Sequence, residues 1–407
     1  MKINDFSHLD KATADALHEL VSLFGDSTYA WFAGLWEPRI GGFYYSNSSR
    51  DNDEVFYKEK YYKLLPDIES TVQTIRAIQN LGMLDAYDRD LKRGLPPEMQ
   101  ERLLDFATGL QAEDDGFFYH PQWGKDIIPS RRGRDYSWAT SIVKDLGGSF
   151  KYTLAADRLR AEGGNSASAA EQFKTLDTFK EYLDSFDFEH QSYRTGNNLG
   201  SQRAQIEGVG YLDFFMNYLS SKQKAKNGIW EDEICYESIN GLMKISGIYD
   251  GSYPFPNAEA AVESLIEGVM ITEKPAAVVD VYNPWAAAVS IISSHRAAGN
   301  HELADQLNNR LKELAPKLIR IVTEKISIFR KPDGSFSYKP TRTSCVSQMA
   351  PVTVAEANEG DVNATCIAVN GTAMRIMRLF GVKEPGIYTH VDYEKFLSYL
   401  GYKAPKI

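Results

Sequence analysis

Apolar residues recur at helical spacing through most of the chain. Ile68, Val72, Ile75 and Ile78 place an apolar face on a helix spanning 67–81, and Gly82 stops it. Five further segments dense in small apolar residues begin near Asp135, Ser201, Tyr236, Asn283 and Asp361 and read as buried helices. Amphipathic segments alternate with them, at 11–24, 97–110, 169–186, 258–270, 302–328 and 393–400, each with one face suited to solvent. Pro97 and Pro284 sit early in their segments, where a missing backbone N–H costs least. Strand signals are short, around 43–45, 117–119 and 335–338, each beside Gly or Asp-Gly, so they read as turns or small hairpins. The stretch 161–170, rich in Gly, Ser and Ala, reads as a loop between two helical units.

A unit repeats along this pattern: a Gly-aromatic turn, a polar loop, then an apolar helix. It runs from Gly41-Gly42-Phe43 to Asp67, from Gln111 through Gly116-Phe117-Phe118 to Asp135, and from Asp333-Gly334-Ser335-Phe336 to Asp361. Six inner and six outer helices in alternation describe an all-α fold, an (α/α)6 toroid with short hairpins at one rim. No Pro/Ser-rich or charged linker divides the 407 residues, so residues 1–407 are expected to form one domain. Inner-helix N-termini would then converge on one mouth.

Composition changes this picture in three places. The 23 Tyr, 20 Phe and 6 Trp are unusually plentiful, which suggests aromatic-lined cavities as well as core, with most of the rings in the core. A net charge of −10 argues against nucleic-acid or anionic-membrane partners. Cys235, Cys345 and Cys366 are odd in number and widely spaced, so they read as buried, reduced thiols rather than a disulfide framework. No apolar leader opens the sequence and no apolar run spans a bilayer, which leads to the expectation of a cytoplasmic protein.

Gln111-x-x-Asp-Asp-Gly-Phe resembles the Gln-x-x-Asp-Gly-aromatic signature of the terpenoid cyclase and protein prenyltransferase toroids. That superfamily includes several polysaccharide lyases and is close in shape to (α/α)6 glycoside hydrolases. The resemblance implies a toroid and a carbohydrate-active enzyme. Asp280-Val281-Tyr282-Asn283 does not supply the Asp-x-Asp-Asp acid of triterpene cyclisation, and no Cys has a close His partner for zinc. No cofactor or metal is expected, and no phosphate loop or dinucleotide fingerprint follows a strand.

Candidate chemistry gathers where loops enter the inner helices. Asp67 and Glu69 follow Leu64-Leu65-Pro66, and Asp135 and Asp361 take equivalent places. A single N-terminal carboxylate is more often a cap, but a ring of them exceeds what capping requires. Two such groups would serve glycoside hydrolysis, one donating a proton to the leaving oxygen and one activating water or attacking carbon. Arg50, Arg131 and Arg203 suit a carboxylated sugar, or they neutralise the protein's own acids. Tyr45, Tyr136, Trp138 and Trp285 could stack on sugar rings, Asn363 could hydrogen-bond to them, and His120 on its loop is the best titrating histidine. The competing chemistry is β-elimination, in which Tyr136 with Arg134, or Tyr211 with Asn197 and Arg203, would act on a uronate. A non-catalytic binding or scaffold toroid, whose acids only cap helices, is the third reading.

Overall fold

The computed structural model describes residues 6–52, 54–57, 59–161, 171–249, 251, 253–354 and 357–407. The first five residues of the expected leaderless N-terminus and positions 162–170 of the expected loop lie outside them. The described chain is mostly helical, and its strands form three two-stranded antiparallel pairs. One contiguous apolar core runs from Phe6 to Leu400. Among the described residues no helix is long and apolar enough to cross a membrane.

The helices include, in order, α1 (Lys11–Val21), α2 (Asp26–Gly34), α3 (Ile68–Asn80), α4 (Pro97–Gly109), α5 (Pro129–Asp145), α6 (Leu176–Asp184), α7 (Ser192–Ser201) and α8 (Leu212–Lys222). They continue as α9 (Tyr236–Ser246), α10 (Ala258–Met270), α11 (Val278–Ala297), α12 (His301–Glu313) and α13 (Ala315–Ser327). Next come α14 (Val362–Cys366), a π-helical stretch Ile367–Ala373, α15 (Met374–Leu379) and α16 (His390–Tyr399). α9 packs between α7 and α11, the π-helical stretch packs on α11, α14 on α3, and α3 on α5. Behind them, α4 covers α5, α10 and α12 cover α11, and α1 lies on α13.

Several boundaries differ from expectation for identifiable reasons. α5 begins six residues before Asp135, because Ile128-Pro129 starts a helix where proline's fixed φ suits the first turn. The segment expected to begin at Ser201 ends there: α7 occupies Ser192–Ser201 and only a short helix, Arg203–Gly208, follows. α11 begins at Val278, well before Asn283, and Pro284 lies inside it. The Asp280 side chain accepts from the Ala276 and Ala277 amides, at 3.0 and 2.9 Å, and fixes that earlier start. The expected helix 302–328 is two helices, broken at Leu314 ahead of Pro316. α2, α8 and the hairpin Glu54–Tyr57 with Lys60–Lys63 carry no equivalent in the sequence reading.

The repeated turn is a real structural unit. Its glycine amide closes a turn on a carbonyl three or four residues back: Gly41 on Glu37 at 2.8 Å, Gly116 on Ala112 at 3.0 Å, Gly334 on Lys331 at 3.0 Å. A fourth copy, Lys224 to Trp230, does the same through Gly228 at 2.8 Å. All four glycines have positive φ, and a Cβ on Gly116 would lie 2.2 Å from the Thr153 carbonyl oxygen. In two copies the following Phe amide donates to a threonine in the helix behind it, Phe43 to Thr71 Oγ1 at 2.9 Å and Phe336 to Thr365 Oγ1 at 3.0 Å. Each threonine stands four residues after the aspartate that caps its helix, Asp67 or Asp361. The turn therefore fixes where the helix starts.

Candidate active site

Five helices and the continuous run from α14 through the π-helical stretch to α15 line one cavity of about 560 Å³. α3 contributes Gln73 and Arg76; α5, Arg134 and Trp138; α7, Tyr193 and Asn197; α9, Met243 and Lys244. α11 adds Tyr282 and Asn283, and the last wall comes from Asn363, the π-helical Asn370 and Gly371, and Arg375 of α15. Tyr45, Tyr338 and the segment 344–348 close one side. π-helical stretches cluster at functional sites because the extra residue per turn re-aims side chains. Here Gly371 lets the stretch pass close to Tyr282, where a Cβ would sit 2.9 Å from the ring.

Among the described residues no Asp or Glu lines this cavity, whereas four cations do: Arg76, Arg134, Lys244 and Arg375. Arg134 Nη1 donates to Glu69 at 2.5 Å, and Arg76 pairs with Asp145. Lys244 has no acidic partner among the described residues; its Nζ lies 5.3 Å from the centre of the Tyr193 ring. Burial, with Arg134 adding to it, pushes the Lys244 ammonium below its ordinary pKa. Burial raises the Tyr193 phenol, which Arg134 partly offsets, and raises Tyr338 to about 12. Three buried polar atoms of lining residues have no hydrogen-bond partner among the described residues: Gln73 Oε1, Asn283 Oδ1 and Trp138 Nε1. Such atoms call for polar groups of a ligand or water.

The sequence-derived acids come together, but behind this wall. Arg131 is fully buried and binds three of them: Nη1 reaches Glu69 at 2.8 Å, and Nη2 reaches Asp67 at 3.4 Å and Asp135 at 3.0 Å. Asp67 also caps α3, accepting from the Ser70 amide and hydroxyl at 3.1 and 2.6 Å. Glu69 accepts from Ser347 Oγ at 2.6 Å, which ties the hairpin Val346–Ser347 with Ala350–Pro351 to the cluster. Gln348 and Met349 form its tip, with φ of 47° and 67°, and a second cavity of about 450 Å³ lies on its other side. Asp361 stands apart, capping α14 through the Ala364 amide at 2.7 Å and accepting from Thr343 Oγ1 at 2.5 Å.

Of the expected substrate contacts, Tyr45, Trp138 and Asn363 line the cavity. The others do not. Trp285 is completely buried against Phe380, because its place on α11 faces the core. Arg131 is sealed within the acid cluster. His120 is buried, accepting from the Gln122 amide and bonded to the Pro66 carbonyl at 2.7 Å, and burial lowers it to about 4, so it is no exposed titrating group. Tyr136 packs on Phe117 and Phe118. Arg50 pairs with Asp51 and donates to the Gly34 carbonyl, and Arg203 donates to the Ile248 carbonyl and Glu207. Tyr211 stacks on Phe179, which leaves Asn197 and Arg134 as the cavity members of the two elimination sets. Cys235 is exposed rather than buried, since it occupies the N-cap of α9. Among the described residues, no three His, Cys, Asp or Glu side chains converge to hold a metal ion.

Burial raises Asp135 to about 7, with Asp67 and Glu69 adding to the rise against the attraction of Arg131. A folded pKa above the unfolded value of roughly 3.9 means that the native state binds the extra proton. The stability so gained is fully present below the unfolded pKa and is lost as pH rises through about 7. Asp135→Asn is expected to remove most of that loss and gain on the order of 2 kcal/mol relative to the parent at pH 8, while changing little at pH 4. Urea unfolding of both proteins at the two pH values checks this, and parallel pH dependences would refute it.

No protein-family model, no curated protein and no solved structure matches the chain.

Proposed function

We propose that the chain is an (α/α)6 toroid whose central cavity binds a uronate-bearing oligosaccharide and cleaves it by β-elimination. The toroid reading is supported by five helices and the α14-to-α15 run around one cavity, other helices packed behind several of them, and four copies of the Gly-aromatic turn. The Gln111 motif, with its resemblance to the toroid superfamily that contains polysaccharide lyases, points the same way.

The observation that carries the chemistry is the make-up of the wall: among the described residues it presents cations, phenols and amides and no carboxylate. Elimination needs a cation against the uronate carboxylate, a base for the proton α to it, and an acid for the leaving oxygen. Arg134 takes the carboxylate and stabilises the charge that develops on it. Lys244, favoured toward the neutral amine, removes the α-proton onto Nζ. The freed electron pair forms the carbon–carbon double bond as the bond from the β-carbon to the glycosidic oxygen breaks. Tyr193, its phenol kept protonated by burial, donates to that oxygen. Lys244 and Tyr193 then exchange a proton through solvent, which restores both.

Hydrolysis is the second reading, favoured by Asp361, which burial raises to about 6, a value suited to a general acid. It would require Asp361 and a second carboxylate to reach the glycosidic bond from behind the wall. Incubation with uronate-containing and neutral oligosaccharides separates the readings. Elimination yields an ultraviolet-absorbing unsaturated uronate from the acidic substrates alone. New reducing ends without that absorbance would replace it with hydrolysis, and no turnover across the panel would leave a binding toroid.

A further inference from the structure

Two cavities meet at one hairpin tip. Gln348, in the turn between Val346–Ser347 and Ala350–Pro351, lines both the central cavity and the second one of about 450 Å³. Gln348 and Met349 are both exposed, so the divide between the cavities lies at the surface, where a ligand can cross it. Their φ values of 47° and 67° belong to the region that favours glycine, a conformation that persists only where the surroundings impose it. The base of the hairpin supplies that constraint. Ser347 Oγ donates to Glu69 at 2.6 Å, and the Gln122 side chain bridges from the Leu65 amide, at 3.2 Å, to the Pro351 carbonyl. The tip is thus held as a sill between two spaces.

The two spaces offer different chemistry. Trp123 lines the second, with His120 stacked on it at 4.4 Å between ring centres and the Arg131 guanidinium 4.7 Å from its own. Ile128, Pro129, Met349 and Pro351 make much of the remaining wall apolar. Among the described residues its charged members are Lys60 and Asp126, which pair with each other at 3.0 Å. Their charges offset, and the Asp126 carboxylate repels a further anion. Such a wall suits the C–H faces of uncharged sugar rings, whereas the cations of the central cavity suit a carboxylate. Both volumes lie within the roughly 300–1,000 Å³ of small-ligand sites. Building on the uronate reading above, we propose that the second cavity is an outer subsite of the same cleft. It takes neutral sugars joined to a uronate seated in the central cavity, and the chain crosses at Gln348. The substrate class is therefore an oligosaccharide whose uronate is flanked on one side by neutral sugars.

Titration calorimetry on the full chain compares a disaccharide of one uronate and one neutral sugar with its extensions, at either end, by two neutral sugars or by two uronates. One of the neutral extensions should bind the parent at least about tenfold more tightly than the disaccharide, while uronates added at that same end should gain no more than about twofold. Ile128→Ser with Met349→Gly strips the apolar wall, and should bring the neutral gain to about one while leaving disaccharide affinity within about twofold. Ile128 and Met349 are 40% and 46% exposed, serine suits the N-cap that Ile128 occupies, and glycine suits the φ of Met349. The double variant is therefore expected to melt no lower than the parent, and Met349→Gly alone should lose part of the gain. No gain from either neutral extension, an equal gain from uronates, or a gain kept intact in the double variant would each overturn the proposal. A disaccharide that binds without any such gain leaves the uronate reading standing, whereas a parent that binds none of the ligands removes that reading together with this one.

Discussion

Arg131→Met is expected to leave the protein unable to reach its native fold, or to lower its unfolding free energy by at least about 4 kcal/mol. The side chain is fully buried and is the shared partner of Asp67, Glu69 and Asp135, all of which are also buried. Removing one member of a buried ion pair costs roughly 3–5 kcal/mol, because the remaining charge loses both water and its partner. Here three carboxyl groups lose it at once. Proton uptake by Asp135 limits the damage, and Arg134 still holds Glu69, so the losses do not simply add. The guanidinium also lies 4.7 Å from the centre of the Trp123 ring and donates to the Ser347 carbonyl at 3.4 Å, so the hairpin should loosen too. Arg131→Lys keeps the charge without the fork and should fall between the two. Adding Asp135→Asn to Arg131→Met should recover part of the loss, since one fewer acid is then stranded. Urea unfolding of the four proteins gives the answer. An Arg131→Met protein within about 1 kcal/mol of the parent would show that the cluster is not held by this residue.

This cluster explains how far the sequence could be read. Its acids are visible as polar residues near expected helix starts, and Asp67 and Glu69 do lie at the first turn of α3. What the sequence did not disclose is direction. A residue at a helix start can face the cavity or the helix-packing layer, and Arg131, one helical turn before Asp135, draws the acids into that layer. The helical plan was legible because apolar periodicity and proline placement act locally. The break at Leu314 and the early start of α11 depended on side-chain bonds and on proline positions that periodicity does not weigh. The cavity residues were obscure for a different reason. Gln73 and Arg76 sit in the interior of α3 and Asn370 within the π-helical stretch, where the sequence reading places buried apolar helices, whereas Asn363 and Asn197 are among its candidates. Polar side chains recurring on the inward stripe of an otherwise buried helix were the available signal. They were outweighed by the more conspicuous acids at the helix starts.

Lys244→Met is expected to reduce kcat on uronate oligosaccharides by a factor of about 10² to 10⁴, the range that a positioned general base contributes. KM should change no more than a few-fold, because Arg134 rather than the amine carries the carboxylate. Lys244→Arg should be as inactive as Lys244→Met, since a guanidinium keeps its proton at any working pH. That equivalence distinguishes a base from a cation that only attracts the substrate, for which arginine would be an adequate replacement. The pH profile adds an independent readout. Burial and Arg134 lower the Lys244 pKa, so the neutral amine becomes available at lower pH than for a free lysine, and kcat should climb with pH until that lowered value is passed. Arg134→Met removes the neighbouring charge and should move the climb to higher pH as well as weaken substrate binding. Met at 244 also removes a cation from a cavity with few acids, so loss of activity cannot be ascribed to a newly stranded charge. If Lys244→Arg retains turnover near that of the parent, the proton is taken by another group, and Tyr338, whose phenol also lines the cavity, becomes the residue to replace next.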